Sequence, residues 1–450
     1  MYRATIPTFF SIFFVTLFAN TLFYGALASR KLSKRTSDSK TVVAHFIVGN
    51  SRSYNADDWT KDIQLAYDNG IDAFALNIGG DSWERDQVAD AFGACSAMKT
   101  PFKLFFSFDM SSIPCSSAQD AETLHQYLTE YHSHGSYFLF DSKMLVSTFS
   151  GEHCLFGTKN LDQAWQFAVK HDFPEDIHFV PSFFVDPSQI SGLQAIDGIF
   201  GWDSGWTKDG NDTTFDSDLN YVSNLGGKTY MAACSPWFFT HYGRDTYNKN
   251  WIYPSDDWLF AARWENLIIN REKVDMVQIL TWNDFGESHY LGPIEGSQSG
   301  SEAWTNGYDH QAWLKLGSYY ARAFKDGRFS NFDYNGIYLW SRLYPAAANA
   351  PSDSVGIPDN WKLTKDVLWA VVFLKAPSTV SLICGSSNLF WQLSSGTWKL
   401  SLPLVENCQV QVQVSRDGSN VAEFKPDGFA FNMNPSSYNF NALVGYYSWN

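Results

Sequence analysis

From residue 41 to about 325 the chain alternates short apolar runs with stretches whose apolar residues recur at helical spacing. The runs are TVVAHFIV (41–48), DAFALNI (72–78), FKLFFSF (102–108), KMLVSTF (143–149), IHFVPSFF (177–184), DGIFGW (197–202), KTYMAAC (228–234) and VDMVQILTW (274–282). Each has the length and the apolar content of a buried strand. Between the first two, DDWTKDIQLAYDNG places Trp59, Ile63, Ala66 and Tyr67 on one helical face and ends in Gly70, a stop signal. DDWLFAARWENLIINREK and QAWLKLGSYYARAFKDG read as helices in the same way. Eight such βα units predict an α/β fold, a (β/α)8 TIM-like barrel over residues 36–345, in preference to an open doubly wound sheet. No Gly-rich phosphate loop follows the first run, which removes the main support for a dinucleotide fold.

The pattern changes after PAAANAPSDSVGIPDN (345–360), a Pro/Ala/Ser-rich linker by composition. Beyond it, VLWAVVFLKA, STVSLIC, NLFWQLS, TWKLSLPL and CQVQVQVS are strand-like and separated by Gly, Ser and Pro turns. CQVQVQVS alternates strictly, as a half-buried antiparallel strand does. Residues 346–450 are therefore expected to form an accessory β-sandwich.

The N-terminus sets the expected compartment. Residues 6–28 are apolar, and Ala26 and Ala28 form the small-x-small pattern of a signal-peptidase site. A cleaved signal peptide over 1–28 is the preferred reading, and a signal anchor competes, because the run is long enough to span a bilayer. Lys34-Arg35 resembles a dibasic processing site, which would extend a pro-segment to residue 35. Loss of the five basic residues in that segment leaves 27 basic against 47 acidic residues, moving the net charge from −15 to −20. Such a surface repels phosphate backbones, so nucleic acid is not an expected partner. A secreted monomer, extracellular or held in the cell wall, with no membrane attachment after cleavage, is the expectation. The six cysteines lack metal-ligand spacing, so disulfides are expected, with Cys384 and Cys408 a reasonable pair and the others undetermined. NDT at Asn211 is a glycosylation sequon.

Polar and aromatic residues cluster just past the expected strand tips, where barrels carry their active sites. His45 lies in the first run, Asn77 ends the second, Asp109 follows the third and Glu152 the fourth. Asp186 follows the fifth, Trp202, Asp203 and Trp206 the sixth, and Trp237 and His241 the seventh. The eighth leads directly into TWNDFGESHY, which crowds Asp284, Glu287, His289 and Tyr290 around Gly286. Each residue has an ordinary reading: a core histidine for His45, an Asx turn for Asp109, a helix cap for Asp186. Asp284 could cap a turn while Glu287 is a solvated loop residue.

Glycoside hydrolysis requires two carboxyl groups flanking the scissile bond. Three extended residues reach up to roughly 10 Å. That span admits both the ~5–5.5 Å separation of retaining enzymes and the ~6.5–9.5 Å of inverting ones. Competing chemistries lack their motifs: there is no GxSxG elbow and no HExxH.

HFIVGN, GIDAFALNIG, FKLFFSFDM, VSTFSGE, FVPSFF, GIFGWDSGW, YMAACSPWFFTHY and TWNDFGESHYLGPI, in that order, resemble the fungal α-1,3-glucanases, or mutanases, of glycoside hydrolase family 71. The similarity runs from about residue 41 to 345, and the C-terminal region also resembles that family's accessory domain. It implies endo-hydrolysis of α-1,3-glucan with inversion, no metal and no cofactor, and points to Asp284 and Glu287 as the catalytic pair. Glu287 is favoured as acid and Asp284 as base, an assignment the sequence leaves open. His45, Asn77, Asp109, Glu152, Trp202, Asp203, Trp237, His289 and Tyr290 are the expected substrate-binding or tuning residues. A non-catalytic wall-binding protein and a wall-glucan transglycosylase are the alternatives.

Overall fold

A computed structural model describes residues 40–450 apart from 174 and 208–212. The segment read as a signal peptide, Lys34-Arg35 and the sequon at Asn211 lie outside the described residues. The eight apolar runs form the strands β1 (Thr41–Ile47), β2 (Ala73–Ile78), β3 (Lys103–Asp109), β4 (Lys143–Phe149), β5 (Ile177–Phe179), β6 (Gly198–Gly201), β7 (Thr229–Cys234) and β8 (Met276–Ile279). Their order is β5-β4-β3-β2-β1-β8-β7-β6, every pairing is parallel, and Leu139–Phe140 adds antiparallel beside β4. The sheet curls, and its outer strands meet through Asp197 N–H to Phe179 O and Phe200 N–H to Pro181 O. The helices α1 (Ala56–Asp68), α2 (Glu84–Ala97), α3 (Ala121–Tyr131), α4 (Leu161–Trp165), α5 (Asp216–Asn224), α6 (Leu259–Ile269) and α7 (Gln311–Asp326) occur between or after these strands. A 3-10 helix, Pro187–Gly192, takes a helix's place between β5 and β6, and Asp186 caps it by accepting Ser188 N–H.

Three local expectations are corrected. Tyr67 is exposed, whereas Trp59, Ile63 and Ala66 of the same helix are buried; the buried neighbour is Asp62, which accepts the Tyr54 hydroxyl at 2.9 Å. The fifth strand is three residues long, and single hydrogen bonds extend it, Val180 N–H to Val146 O and Ser182 N–H to Thr148 O on either side of Pro181. The eighth strand ends at Ile279. Beyond it Leu280 N–H still reaches Cys234 O and Trp282 N–H reaches His45 O, but Thr281 N–H turns away to His289 O.

Two antiparallel sheets follow, built from β9 (Asn335–Ser341), β10 (Val367–Leu374), β11 (Ser378–Cys384), β12 (Ser387–Leu393), β13 (Gly396–Pro403), β14 (Cys408–Arg416), β15 (Ser419–Phe424), β16 (Ala430–Phe431) and β17 (Leu443–Trp449). One runs β13-β10-β9-β17, the other β12-β11-β14-β15 with β16 against β14. β9 precedes the stretch read as a linker and lies at the centre of its sheet. Side chains alternate across a strand. Ile337, Leu339, Ala370 and Val372 pack with Val380, Leu382 and Val412 of the second sheet, while Tyr338, Trp340, Trp369 and Phe373 join the core shared with the α/β region. The two central strands of the first sheet, β9 and β10, are thus buried on both faces. Disulfides join Cys384 to Cys408, as expected, and Cys115 to Cys154; Cys95 and Cys234 are free and buried. Among the described residues no helix is long and apolar enough to cross a membrane.

The junction is fastened by Arg342, whose Nε donates to Asp256 at 2.7 Å with both side chains almost fully buried. Trp258 Nε1 donates to Ala370 O and Trp340 Nε1 to Asp257 O beside it. Removing one partner of such a pair strands a buried charge, at a cost of about 3–5 kcal/mol. Arg342→Leu is expected to lower unfolding free energy in urea by that amount, while a surface control such as Lys61→Ala changes it by less than about 0.5 kcal/mol.

Candidate active site

The segment after β8 folds back on itself. Thr281 N–H donates to His289 O, Leu291 N–H to Thr281 O and Gly292 N–H to Trp282 O. Within this loop Asp284 N–H donates to Thr281 Oγ1 and Glu287 N–H to Asp284 Oδ1, so Asp284 does cap a turn. Asn283 fixes the loop to β1, accepting Ile47 N–H at 2.7 Å and donating to Ile47 O at 3.1 Å, and Asn50 Nδ2 donates to Asn283 O. Gly286 is required by a close approach, since a Cβ there would stand 2.5 Å from the Tyr242 hydroxyl.

These constraints gather Asp284, Glu287 and His289. One carboxylate oxygen of each acid and a ring nitrogen of the histidine all lie within 4.8 Å of one another. His289 Nε2 is 3.1 Å from Asp284 Oδ2 and 3.5 Å from Glu287 Oε2. The histidine is fully buried, its ring beside Trp206 and Phe238, whereas the acids keep 23 and 20 % of their side-chain surface open. The trio offers a donor set that a divalent ion would accept, although a two-carboxylate hydrolysis requires none.

The two acids are pushed in opposite directions. Burial and the neighbouring Asp284 raise the Glu287 pKa, with His289 and Lys249 opposing. Burial acts on Asp284 too, but His289, the Glu287 N–H and Lys249 together outweigh it, and its pKa is lowered. One group is thereby disposed to hold a proton and the other to stay ionised, the division that acid–base catalysis needs.

Lys249 was not anticipated. It donates to Glu287 Oε1 at 3.0 Å from a hairpin between Phe239–His241 and Asn250–Ile252. Burial disfavours its charge, but Glu287, Asp284 and Asp109 more than offset that, and its pKa is raised. Tyr242, on the same hairpin, also faces both acids. The turn-forming Gly243 and Asn248 between FFTHY and WIY signal a hairpin, but no motif marks the lysine.

The other expected residues divide. His45 is buried, accepts from Gln278 Nε2 at Nδ1, and meets the Trp202 ring edge-on at 5.1 Å. Burial drives its pKa down to about 3, with Asp284 opposing and His289 assisting, so the ring is neutral. Trp202 continues to Phe149, Phe149 to Phe184, and Phe184 N–H donates to Glu152. Asp109 is raised by burial, against two hydrogen bonds from Ser111, and senses both Lys249 and Asp284. Asn77 is buried at the end of β2, in register with Ile47 and Ser107. Asp203 is half-buried and interacts electrostatically with Tyr221 of α5. Two residues are corrected. Trp237 is 0 % exposed and donates to Phe440 O; Tyr290 is 0 % exposed, donates to Tyr308 O and stacks on His310 at 4.0 Å. Neither has surface to offer a ligand. His241 is tied to Asn250 and Asp353 and serves the hairpin.

A curled parallel sheet with two unlike carboxyl groups at one strand tip is an arrangement compatible with glycoside hydrolysis. The profile of glycosyl hydrolase family 71 matches residues 38–449, and the chain belongs to that family. It is 35% identical over 417 residues to the glucan endo-1,3-alpha-glucosidase agn1 of Schizosaccharomyces pombe, covering 91% of this chain and 95% of that protein. It is 31% identical over 422 residues to the mutanase Pc12g07500 of Penicillium rubens, covering 91% and 89%. Identity to the ascus wall endo-1,3-alpha-glucanase of Schizosaccharomyces pombe is 30% over 439 residues, covering 91% and 98%.

Lys249 lowers the pKa of both acids, so its removal must raise both. Lys249→Met is expected to move both limbs of the kcat/KM profile to higher pH: Asp284 ionises later and Glu287 keeps its proton longer. A profile that loses height without moving would separate Lys249 from the titrating pair.

Proposed function

We propose that the protein is a secreted endo-acting hydrolase of α-1,3-glucan in fungal cell walls, in which Glu287 protonates the glycosidic oxygen and Asp284 activates water. The observation that carries this reading is the opposed displacement of two neighbouring carboxyl groups at the tip of β8. The relatives named above supply the substrate class. The scaffold we assign is a (β/α)8 barrel, its ring completed where β5 meets β6, followed by a β-sandwich that begins at β9. His45, Asn77, Asp109, Glu152, Trp202, Asp203 and His289 are assigned to sugar binding or to tuning the acids. The enzyme acts as a monomer outside the cell or in the wall, with nucleic acid and membrane excluded as partners by charge and by signal cleavage.

Inversion is the proposed stereochemistry, and it makes a geometric demand. An inverting pair leaves ~6.5–9.5 Å between carboxyl groups to seat a water. Oxygens of the two acids approach within 4.8 Å here, with His289 against both. Inversion therefore requires room for a water between the two carboxyl groups when substrate is bound. The approach of one oxygen from each acid within 4.8 Å also suits a second reading, a transglycosylase with a covalent intermediate on Asp284.

Insoluble α-1,3-glucan, α-1,4-glucan and β-1,3-glucan distinguish these readings when reducing ends and product anomers are followed by NMR. Cleavage of the first alone with β-anomers released supports an inverting hydrolase; α-anomers, or longer products with an added acceptor, support the second reading. Glu287→Gln and Asp284→Asn are each expected to lose at least about a hundredfold in kcat. Exhaustive chelation is expected to leave the rate unchanged, and a rate restored by divalent ions would reassign the trio as a metal centre.

A further inference from the structure

A second concavity lies where α6 and α7 meet the first C-terminal sheet. It is a cavity of about 800 Å³, within the range of about 300–1,000 Å³ typical of ligand sites. Ile269 on its rim closes α6, seven residues before β8 begins, so the cavity lies toward the start of that strand, whereas Asp284 and Glu287 follow its end.

Its walls combine two kinds of surface. Tyr319 and Phe329 are near-parallel, with centroids 5.9 Å apart, and Phe332 lies edge-on to Tyr319 at 6.4 Å. Phe329 is 48 % exposed and Ile269 77 %. Glu265 of α6 is paired with Lys399 of β13, and Glu265 Oε1 also accepts the Tyr320 hydroxyl at 3.3 Å. Both members of the ion pair keep about a third of their side chains open, 30 and 34 %. Capacity to accept and to donate hydrogen bonds is thus set beside one exposed ring, Phe329, and two half-buried ones, Tyr319 and Phe332. A greasy peptide segment has no use for a half-open ion pair, and a compact anion has none for the rings. A sugar uses both, its C–H face against a ring and its hydroxyls against carboxylate and ammonium.

We infer that this cavity is a second glucan-binding site, which holds a stretch of an α-1,3-glucan chain and tethers the enzyme to its insoluble substrate away from the cleft. The inference rests on the substrate class proposed above. A tether adds effective concentration on a polymer and nothing on a short soluble substrate. The two substrates therefore separate its role from catalysis.

In a Glu287→Gln background, which binds without cutting, co-sedimentation with insoluble α-1,3-glucan is measured with and without Phe329→Ala or Ile269→Ser. Each substitution is expected to weaken partition at least fivefold. Placed in the otherwise native enzyme, each is expected to leave turnover of a soluble α-1,3-linked oligosaccharide within twofold, with unchanged thermal unfolding as the check on folding. Unaltered sedimentation for both variants would overturn the tether, and so would an equal loss on the soluble substrate. If the native enzyme leaves the soluble oligosaccharide uncut, the substrate reading fails on its own, whatever the sedimentation shows.

Discussion

The structure is organised around a repulsion. Two carboxylates whose oxygens come within 4.8 Å in a half-buried site cannot both ionise cheaply, because a low dielectric strengthens their interaction several-fold over its value in water. The fold answers with basic groups drawn from two different places. His289 arrives from the same loop as the acids, because the turn that returns Thr281 N–H to His289 O aims its ring back at them. Lys249 arrives from the hairpin after β7 and pairs with Glu287 from the other side. Both hold Asp284 down and restrain Glu287, yet burial, together with Asp284 beside it, leaves Glu287 raised. The asymmetry between chemically similar side chains is therefore a property of position.

Because Lys249 must be held against the pair, the hairpin that carries it cannot be slack. Its bracing comes from residues read as a linker. Asp353 accepts from His241 at 2.9 Å and also takes the Tyr438 N–H, while Ile252 N–H reaches Asp359 O and Asp359 N–H reaches Asn250 O. Asn250 Nδ2 donates to Gly356 O. Trp237, at the base of the hairpin, donates to Phe440 O, just before β17. The segment 353–360 thus lies along the hairpin much as a further strand would. The C-terminal sheets, pinned through Arg342 and Asp256, stand behind it, which links an accessory region to the electrostatics of the site through ordinary backbone pairing.

How much of this the sequence could show depends on the range of each interaction. Alternating apolar runs are local signals, so all eight parallel strands and the helices at 56–68 and 311–326 were legible, whereas the ends of the fifth and eighth strands were not. Asp284, Glu287 and His289 were legible because one short loop carries all three. Trp237 and Tyr290 were misread because position near a strand tip does not reveal which way an indole or phenol points; each is claimed by a distant carbonyl, Phe440 and Tyr308. Lys249 was missed for the complementary reason. Its partner lies 38 residues away, and no spacing rule connects a hairpin lysine to a strand-tip glutamate.

The same geometry bears on stereochemistry. Glu287 N–H is bonded to Asp284 Oδ1, so the backbone of one acid fixes the side chain of the other. Asp284 is further restrained by His289, and its main chain by Thr281 Oγ1. Glu287 is held by Lys249, which is 44 % exposed, and more distantly by His289 at 3.5 Å. The two acids are therefore unequal in freedom as well as in proton affinity. If the pair opens to admit a water, the movement belongs to Glu287 swinging with Lys249, while Asp284 keeps its place on the loop that Asn283 clamps to β1. An acid that moves with the leaving oxygen and a base that stays with the water suit an inverting displacement.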